Sequence, residues 1–229
     1  MSKVTEVIKI DPFNPEAGII EKAAGFIRQG KLVAVPTETV YGLAADFSNP
    51  RAVKRLYEVK QRQEDKPFTA AVSDKESLER FSREVSILAY KLADKFWPGP
   101  LTLVLKSADN KTIGLRMPDH PVVLRLMDSA MADLALPSAN ISGEAPARSA
   151  QEVLRSFSGK IDLILDAGNT RLGLESTVVD LTEAPFKILR EAALKKEAIE
   201  NIAAGKRVLF VCTGNSCRSV MAQGLLQKA

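Results

Sequence analysis

Short apolar runs bounded by proline, glycine or small polar residues set the strongest limit on what this chain can fold into. Residues 31–36 (KLVAVP), 101–106 (LTLVLK), 161–166 (IDLILD) and 178–181 (VVDL) are too short for helices and rich in aliphatic side chains. Residues 4–10 alternate apolar and polar, and 112–116 and 186–190 are further short runs, so all of these read as strands. Segments of helical period lie between them. Residues 15–28 put Ile19, Ile20, Ala23, Ala24 and Ile27 on one face and stop at Gly30. A segment from Pro50 to about Lys60, and residues 75–81, 85–96, 121–127, 149–157 and 193–203, read as helices too. The alternation is irregular, which predicts an α/β fold with a mixed sheet rather than a doubly wound parallel one.

The 229 residues suffice to bury a full core, and 45% apolar with 26% charged residues is ordinary for a globular chain. No run reaches the ~18 apolar residues of a membrane span, and MSKVTEVIKID lacks a signal-peptide core, so the expected location is cytoplasmic. The net charge of +4 comes from one end. From Lys206 onward there are four cations (Lys206, Arg207, Arg218, Lys228) and no acid, which leaves 28 basic and 28 acidic residues in 1–205. That balance argues against a broad nucleic-acid footprint on the main body. Cys212 and Cys217 lie in the same end segment, without neighbouring histidines, and make neither a disulfide framework nor a zinc site. The single histidine, His120, precedes Pro121 and reads as a helix-start residue. Mechanisms that need two histidines are excluded.

Candidate chemistry concentrates in residues 35–72. Pro36 stops an apolar run and is followed by Thr37, Thr39 and Tyr41; the helix from Pro50 then ends in Lys60, Arg62 and Lys66. Cations at that spacing either pair with the interleaved Glu58, Glu64 and Asp65 or grip phosphates, arginine bidentately and lysine as a point charge. Further hydroxyl-rich turns occur at Ser138/Asn140/Ser142 and Ser176/Thr177. One such turn merely caps a helix or closes a loop. Several at strand ends suggest a shared rim, where ligands sit in open α/β sheets. Arg116 and Arg190 close two apolar strands. Residues 25–31 (GFIRQGK) imitate a phosphate-binding loop, but the order is helix then strand and Leu32 replaces the required hydroxyl.

Six ordered pieces match one family. They are PTETVYGL from Pro36, Lys60-x-Arg62, the turn GLRMP around Arg116, PSANISG from Pro137, STVVD from Ser176, and ILR ending at Arg190. Together they resemble the YrdC/TsaC family of L-threonylcarbamoyladenylate synthases over about residues 5–200. The resemblance implies a twisted α/β fold with a basic cleft. It also implies the reaction of L-threonine, bicarbonate and ATP, with Mg2+, to threonylcarbamoyl-AMP and pyrophosphate. The product would pass to a tRNA threonylcarbamoyl-transferase complex, with weak double-stranded RNA or tRNA binding as a further expectation. By the same resemblance Thr37, Tyr41, Arg116 and Ser176 would form the threonine pocket. Lys60 and Arg62 would hold the ATP phosphates as catalytic cations, with Lys66, Ser138, Asn140, Ser142 and Arg190 also on the nucleotide. No protein-ligated metal is implied. The chain departs from the family pattern at Ala71, where many relatives carry histidine, and at Ala192, where glycine is usual.

Residues 206–229 read as a separate strand-loop-helix segment, set against a catalytic body over 1–205. Cys212 and Arg218, in the pattern Cys-x5-Arg-Ser, resemble the phosphate loop of low-molecular-weight protein tyrosine phosphatases. A single strand-loop-helix cannot bury a core, so this loop is expected to be an inactive, truncated remnant. The competing readings are a double-stranded RNA-binding module and, for the end segment alone, a phosphatase.

Overall fold

The computed structural model describes residues 4–109 and 111–204. Its strands are β1 (Glu6–Lys9), β2 (Val33–Val35), β3 (Gly42–Asp46), β4 (Thr69–Ala71), β5 (Leu101–Lys106), β6 (Thr112–Arg116), β7 (Leu134–Ala135), β8 (Leu163–Asp166), β9 (Thr177–Asp180) and β10 (Lys187–Arg190). Its helices are α1 (Ala17–Arg28), α2 (Pro50–Lys60), α3 (Ser77–Phe81), α4 (Ile87–Phe96), α5 (Pro121–Ala130), α6 (Ala150–Phe157) and α7 (Lys196–Ala204). The strands form one ten-stranded sheet in the order β1-β8-β2-β3-β7-β4-β6-β5-β9-β10. Pairs β1/β8, β2/β8, β4/β6 and β5/β9 are parallel, while β2/β3, β3/β7, β4/β7, β5/β6 and β9/β10 are antiparallel. The expected mixed sheet is therefore present.

The strand β2 shows why apolar runs without polar alternation occur here. Val33 and Val35 belong to a core shared with Ile20, Ala23, Ala24 and Ile27 of α1 and with Val123, Leu126 and Met127 of α5. Leu32 and Ala34 belong to the opposite core, with Ala52 and Leu56 of α2 and Val153 and Phe157 of α6. A strand buried on both faces has no solvent side to mark with polar residues. A third core packs β5 and β6 against Leu92 and Ala93 of α4 and Ile199 of α7.

Two differences from the sequence reading matter for the site. Residues 42–46 (GLAAD) form β3, which the pattern did not predict, because alanine and glycine carry little strand signal. Glycine is required at its start: a Cβ on Gly42 would lie 2.7 Å from Leu136 Cδ1. This close approach brings the loop after β7 against the loop before β3, and Leu43 N donates to Pro137 O (2.9 Å). Helix α5 also runs on to Ala130, three residues beyond its expected end. The end-segment reading, with Cys212 and Arg218, lies outside the described residues.

Candidate active site

Helix α2 begins on Asn49, whose Oδ1 accepts from Arg51 N and Ala52 N, with Pro50 in the first turn. Its buried residues are Ala52, Leu56 and Lys60, a lysine in the core stripe of an amphipathic helix. Lys60 is 2% exposed. Its Nζ donates to the carbonyl oxygens of Ser138 (2.5 Å) and Asn140 (2.6 Å), and Ser142 N donates back to Lys60 O (3.0 Å). Burial, then the nearby Arg62 charge, lowers the Lys60 pKa to about 8, against an opposing pull from Glu175. Lys60 thus ties the end of α2 to the loop of residues 137–143. Gln61 then adopts the left-handed conformation (φ 51°) and ends the helix. Arg62 leaves the core stripe and borders a cavity.

That cavity measures about 290 Å³, near the lower end for small-molecule sites. Arg62, Arg116, Ser138, Glu175, Ser176 and Arg190 all border it, together with Thr102 and the apolar Val40, Phe68 and Leu189. Arg62 lies over the Phe68 ring, 5.3 Å from its centroid, with Nε and Nη2 donating to the carbonyls of Lys66 (2.9 Å) and Pro67 (3.1 Å). Arg116 ends β6. Its Nη2 donates to Glu38 Oε1 (2.7 Å) and Thr39 Oγ1 (2.8 Å), and its Nε donates to Gly99 O (3.2 Å). Arg190 ends β10 and pairs with Glu175 (2.7 Å), while its Nε donates to Ser176 O (3.0 Å). Ser176 Oγ shares a 2.8 Å hydrogen bond with Thr102 Oγ1.

The structure thus gathers Arg62, Arg116, Ser138, Ser176 and Arg190 around one cavity and leaves other expected site residues off its lining. Tyr41 is fully buried; its hydroxyl donates to Gly168 O (2.8 Å) and accepts from Ala167 N (3.2 Å), and burial pushes its pKa up to about 12. Thr37 Oγ1 donates to Val40 O (2.7 Å) and meets Thr39 Oγ1 at 2.8 Å, which closes the turn before β3. Lys66 and Ser142 are exposed. Asn140 Nδ2 donates to the carbonyls of Ile141 and Glu144 (both 2.9 Å), while its buried Oδ1 meets no donor among the described residues. His120 Nδ1 accepts from Val122 N (3.3 Å) and starts α5, with its pKa lowered by burial. Among the described residues no group of three or more His, Cys, Asp or Glu is placed to hold a metal ion. No helix among them is long and apolar enough to cross a membrane.

A family profile, Sua5/YciO/YrdC with the description "Telomere recombination", matches residues 25–192. The chain belongs to the Sua5/YciO/YrdC family. A Pyrococcus abyssi relative named threonylcarbamoyl-AMP synthase is 44% identical over 90% of this chain and 63% of its own length. A Bacillus subtilis relative of the same name is 38% identical over 80% of this chain and 56% of its own length. This family member therefore spans a little over half the length of those two relatives. The crystal structure of P. abyssi Sua5 complexed with L-threonine superposes with a TM-score of 0.83 at 45% identity, covering 86% of this chain and 61% of that one. A second profile, low molecular weight phosphotyrosine protein phosphatase, matches residues 207–229, which include Cys212 and Arg218.

For this Sua5/YciO/YrdC member, sequence reasoning missed Thr102 and Glu175 as cavity residues. Thr102 sits in an apolar strand and reads as a solvent-side alternation, although it is 4% exposed. Glu175 precedes Ser176 in a polar turn and gains meaning only beside Arg190, fifteen positions on. Glu38 was equally silent. Its side chain is 1% exposed, a rare condition for a glutamate and one that only the fold reveals.

Proposed function

We propose that the chain makes threonylcarbamoyl-AMP and pyrophosphate from L-threonine, bicarbonate and ATP. The observation that supports this most is the convergence of Arg62, Arg116 and Arg190 with Ser138 and Ser176 on one cavity. A carboxylate and a polyphosphate both need such cations, whose guanidinium N–H groups form charge-assisted hydrogen bonds with each. The names of the relatives and the threonine in the P. abyssi Sua5 crystal point to the same substrates.

In this reading Arg116 takes the threonine carboxylate. Thr102 and Ser176, already hydrogen-bonded to each other, offer the substrate hydroxyl a polar partner; an apolar pocket alone would discriminate poorly against valine. The threonine amine condenses with bicarbonate, losing water, to a carbamate. A carbamate oxygen attacks the α-phosphorus, the bond to the β-phosphate oxygen breaks, and pyrophosphate leaves with its electron pair. No enzyme nucleophile or histidine base takes part. Arg62 and Arg190 hold the phosphates, and the loop carrying Ser138 and Asn140 lies at the α-phosphate, kept in place by Lys60 from beneath. Catalysis is then positioning plus cations placed where phosphate charge shifts. Leu189, 58% exposed at the rim, gives the nucleoside an apolar edge. Mg2+ would enter with ATP. Among the described residues Glu175 is the one carboxylate bordering the cavity and is paired with Arg190, so the ion's other ligands would be phosphate oxygens and water.

The product is a reactive mixed anhydride, and a transferase acting on tRNA adenosine is its expected consumer. The test is pyrophosphate release from ATP with threonine and bicarbonate each added or omitted. Release is expected only when both are present, and Arg62→Ala is expected to lower it on the order of 10²-fold. Release that ignores threonine would overturn the proposal.

A further inference from the structure

Arg116 borders the cavity, yet most of its guanidinium is already committed. Nε and Nη2 are tied to Gly99 O, Glu38 Oε1 and Thr39 Oγ1, and Nη1 meets no hydrogen-bond partner among the described residues. The carboxylate that fixes it is itself fixed. Glu38 Oε2 accepts from Asp119 N (3.2 Å), and Leu172 N donates to Glu38 O (2.8 Å). Asp119 in turn pairs with Arg171 (2.7 Å). One buried glutamate therefore joins the turn before β3, the turn after β6 and the turn around residue 172. A carboxylate this deep persists only when paired and hydrogen-bonded.

We propose that Glu38 is a positioning residue for the amino-acid substrate. By holding the guanidinium on one edge and cancelling its charge, it leaves Nη1 of Arg116 as a single directed donor for the substrate carboxylate. The site then reads the direction of an anion more than its charge. Thr39 assists as the second acceptor on Nη2. This inference rests on the proposed function only in taking the substrate to be a carboxylate-bearing amino acid.

Isothermal calorimetry of L-threonine and, separately, of ATP tests it on the full chain and three variants. Glu38→Gln keeps an acceptor for Arg116 but turns an amide N–H toward Asp119 N. Thr39→Val keeps the shape and removes the second acceptor. Both variants are expected to weaken threonine binding about tenfold, the loss of one charge-assisted hydrogen bond, and to leave the ATP dissociation constant within about twofold. Thr39→Ser is expected to restore threonine affinity. A purely structural role would weaken both ligands together, and that result, or an unchanged threonine affinity, overturns the inference. If Glu38→Gln does not fold, the Thr39 pair decides alone by the same readout. Failure of the unaltered chain to bind threonine at all would instead count against the proposed function.

Discussion

The sheet side and the helix side of the cavity hold their arginines in different ways. On the sheet side, Arg116 and Arg190 sit at strand ends, each paired with a glutamate, Glu38 or Glu175. On the helix side, Arg62 follows a left-handed residue and is held by two carbonyls and a ring face, with no carboxylate partner among the described residues. The sheet arginines thus arrive with their orientation set and their charge offset. Arg62 contributes the charge that is not offset. An anion entering between them would find direction on one side and attraction on the other.

Removing an arginine from each side separates the two roles most sharply. Arg116→Ala leaves Glu38 buried and uncompensated, and is expected to cost about 3–5 kcal/mol in urea denaturation. A loss below about 1 kcal/mol would show that the pair is not the fixed element described here. Arg62→Ala removes no buried partner, so its stability should move by no more than about 0.5 kcal/mol while its rate falls on the order of 10²-fold. If Arg62→Ala unfolds the chain, or Arg116→Ala leaves it intact, the contrast between the two sides is lost.

Lys60 supports the helix side from beneath the loop of residues 137–143. Its pKa, lowered to about 8 from 10.5, means that the unfolded chain holds more protons between those values, so stability from this group rises with pH across that window. Lys60→Met should flatten that slope, measured as denaturation midpoint against pH. It should also speed amide exchange in residues 137–143, because two loop carbonyls lose their donor. An unchanged slope would mean that Nζ is not the group holding the loop. The smallest effect belongs to His120. Burial lowers its pKa below the usual 6.5, so its contribution is complete above 6.5 and is lost as pH falls toward the lowered value. His120→Asn keeps a cap acceptor for Val122 N and should remove that acid-side slope, again read from denaturation midpoints.

Much of the frame was legible in the sequence because it rests on local signals. The buried stripe of α1, the start of α2 at Pro50 and the short apolar run that becomes β2 follow from residue type and spacing. What escaped is non-local. Strand β3 is built from small residues and exists because Gly42 lets Leu136 approach. Tyr41 reads as a ligand contact beside threonines, yet its hydroxyl is used up by Ala167 and Gly168 across the sheet. Lys60 and Arg62 look equivalent two residues apart, and only the left-handed Gln61 sends one into the core and the other to the cavity. Glu38 and Glu175 gain their meaning from arginines that only folding brings near.

A crystal structure of the chain soaked with L-threonine and a non-hydrolysable ATP analogue tests the shared cavity most directly. The threonine carboxylate is expected within hydrogen-bond distance of Arg116 Nη1 and the triphosphate against Arg62 and Arg190. Ligands seated instead in the neighbouring aromatic cavity beside Phe47 and Phe81, or at two separate places on the surface, would contradict it.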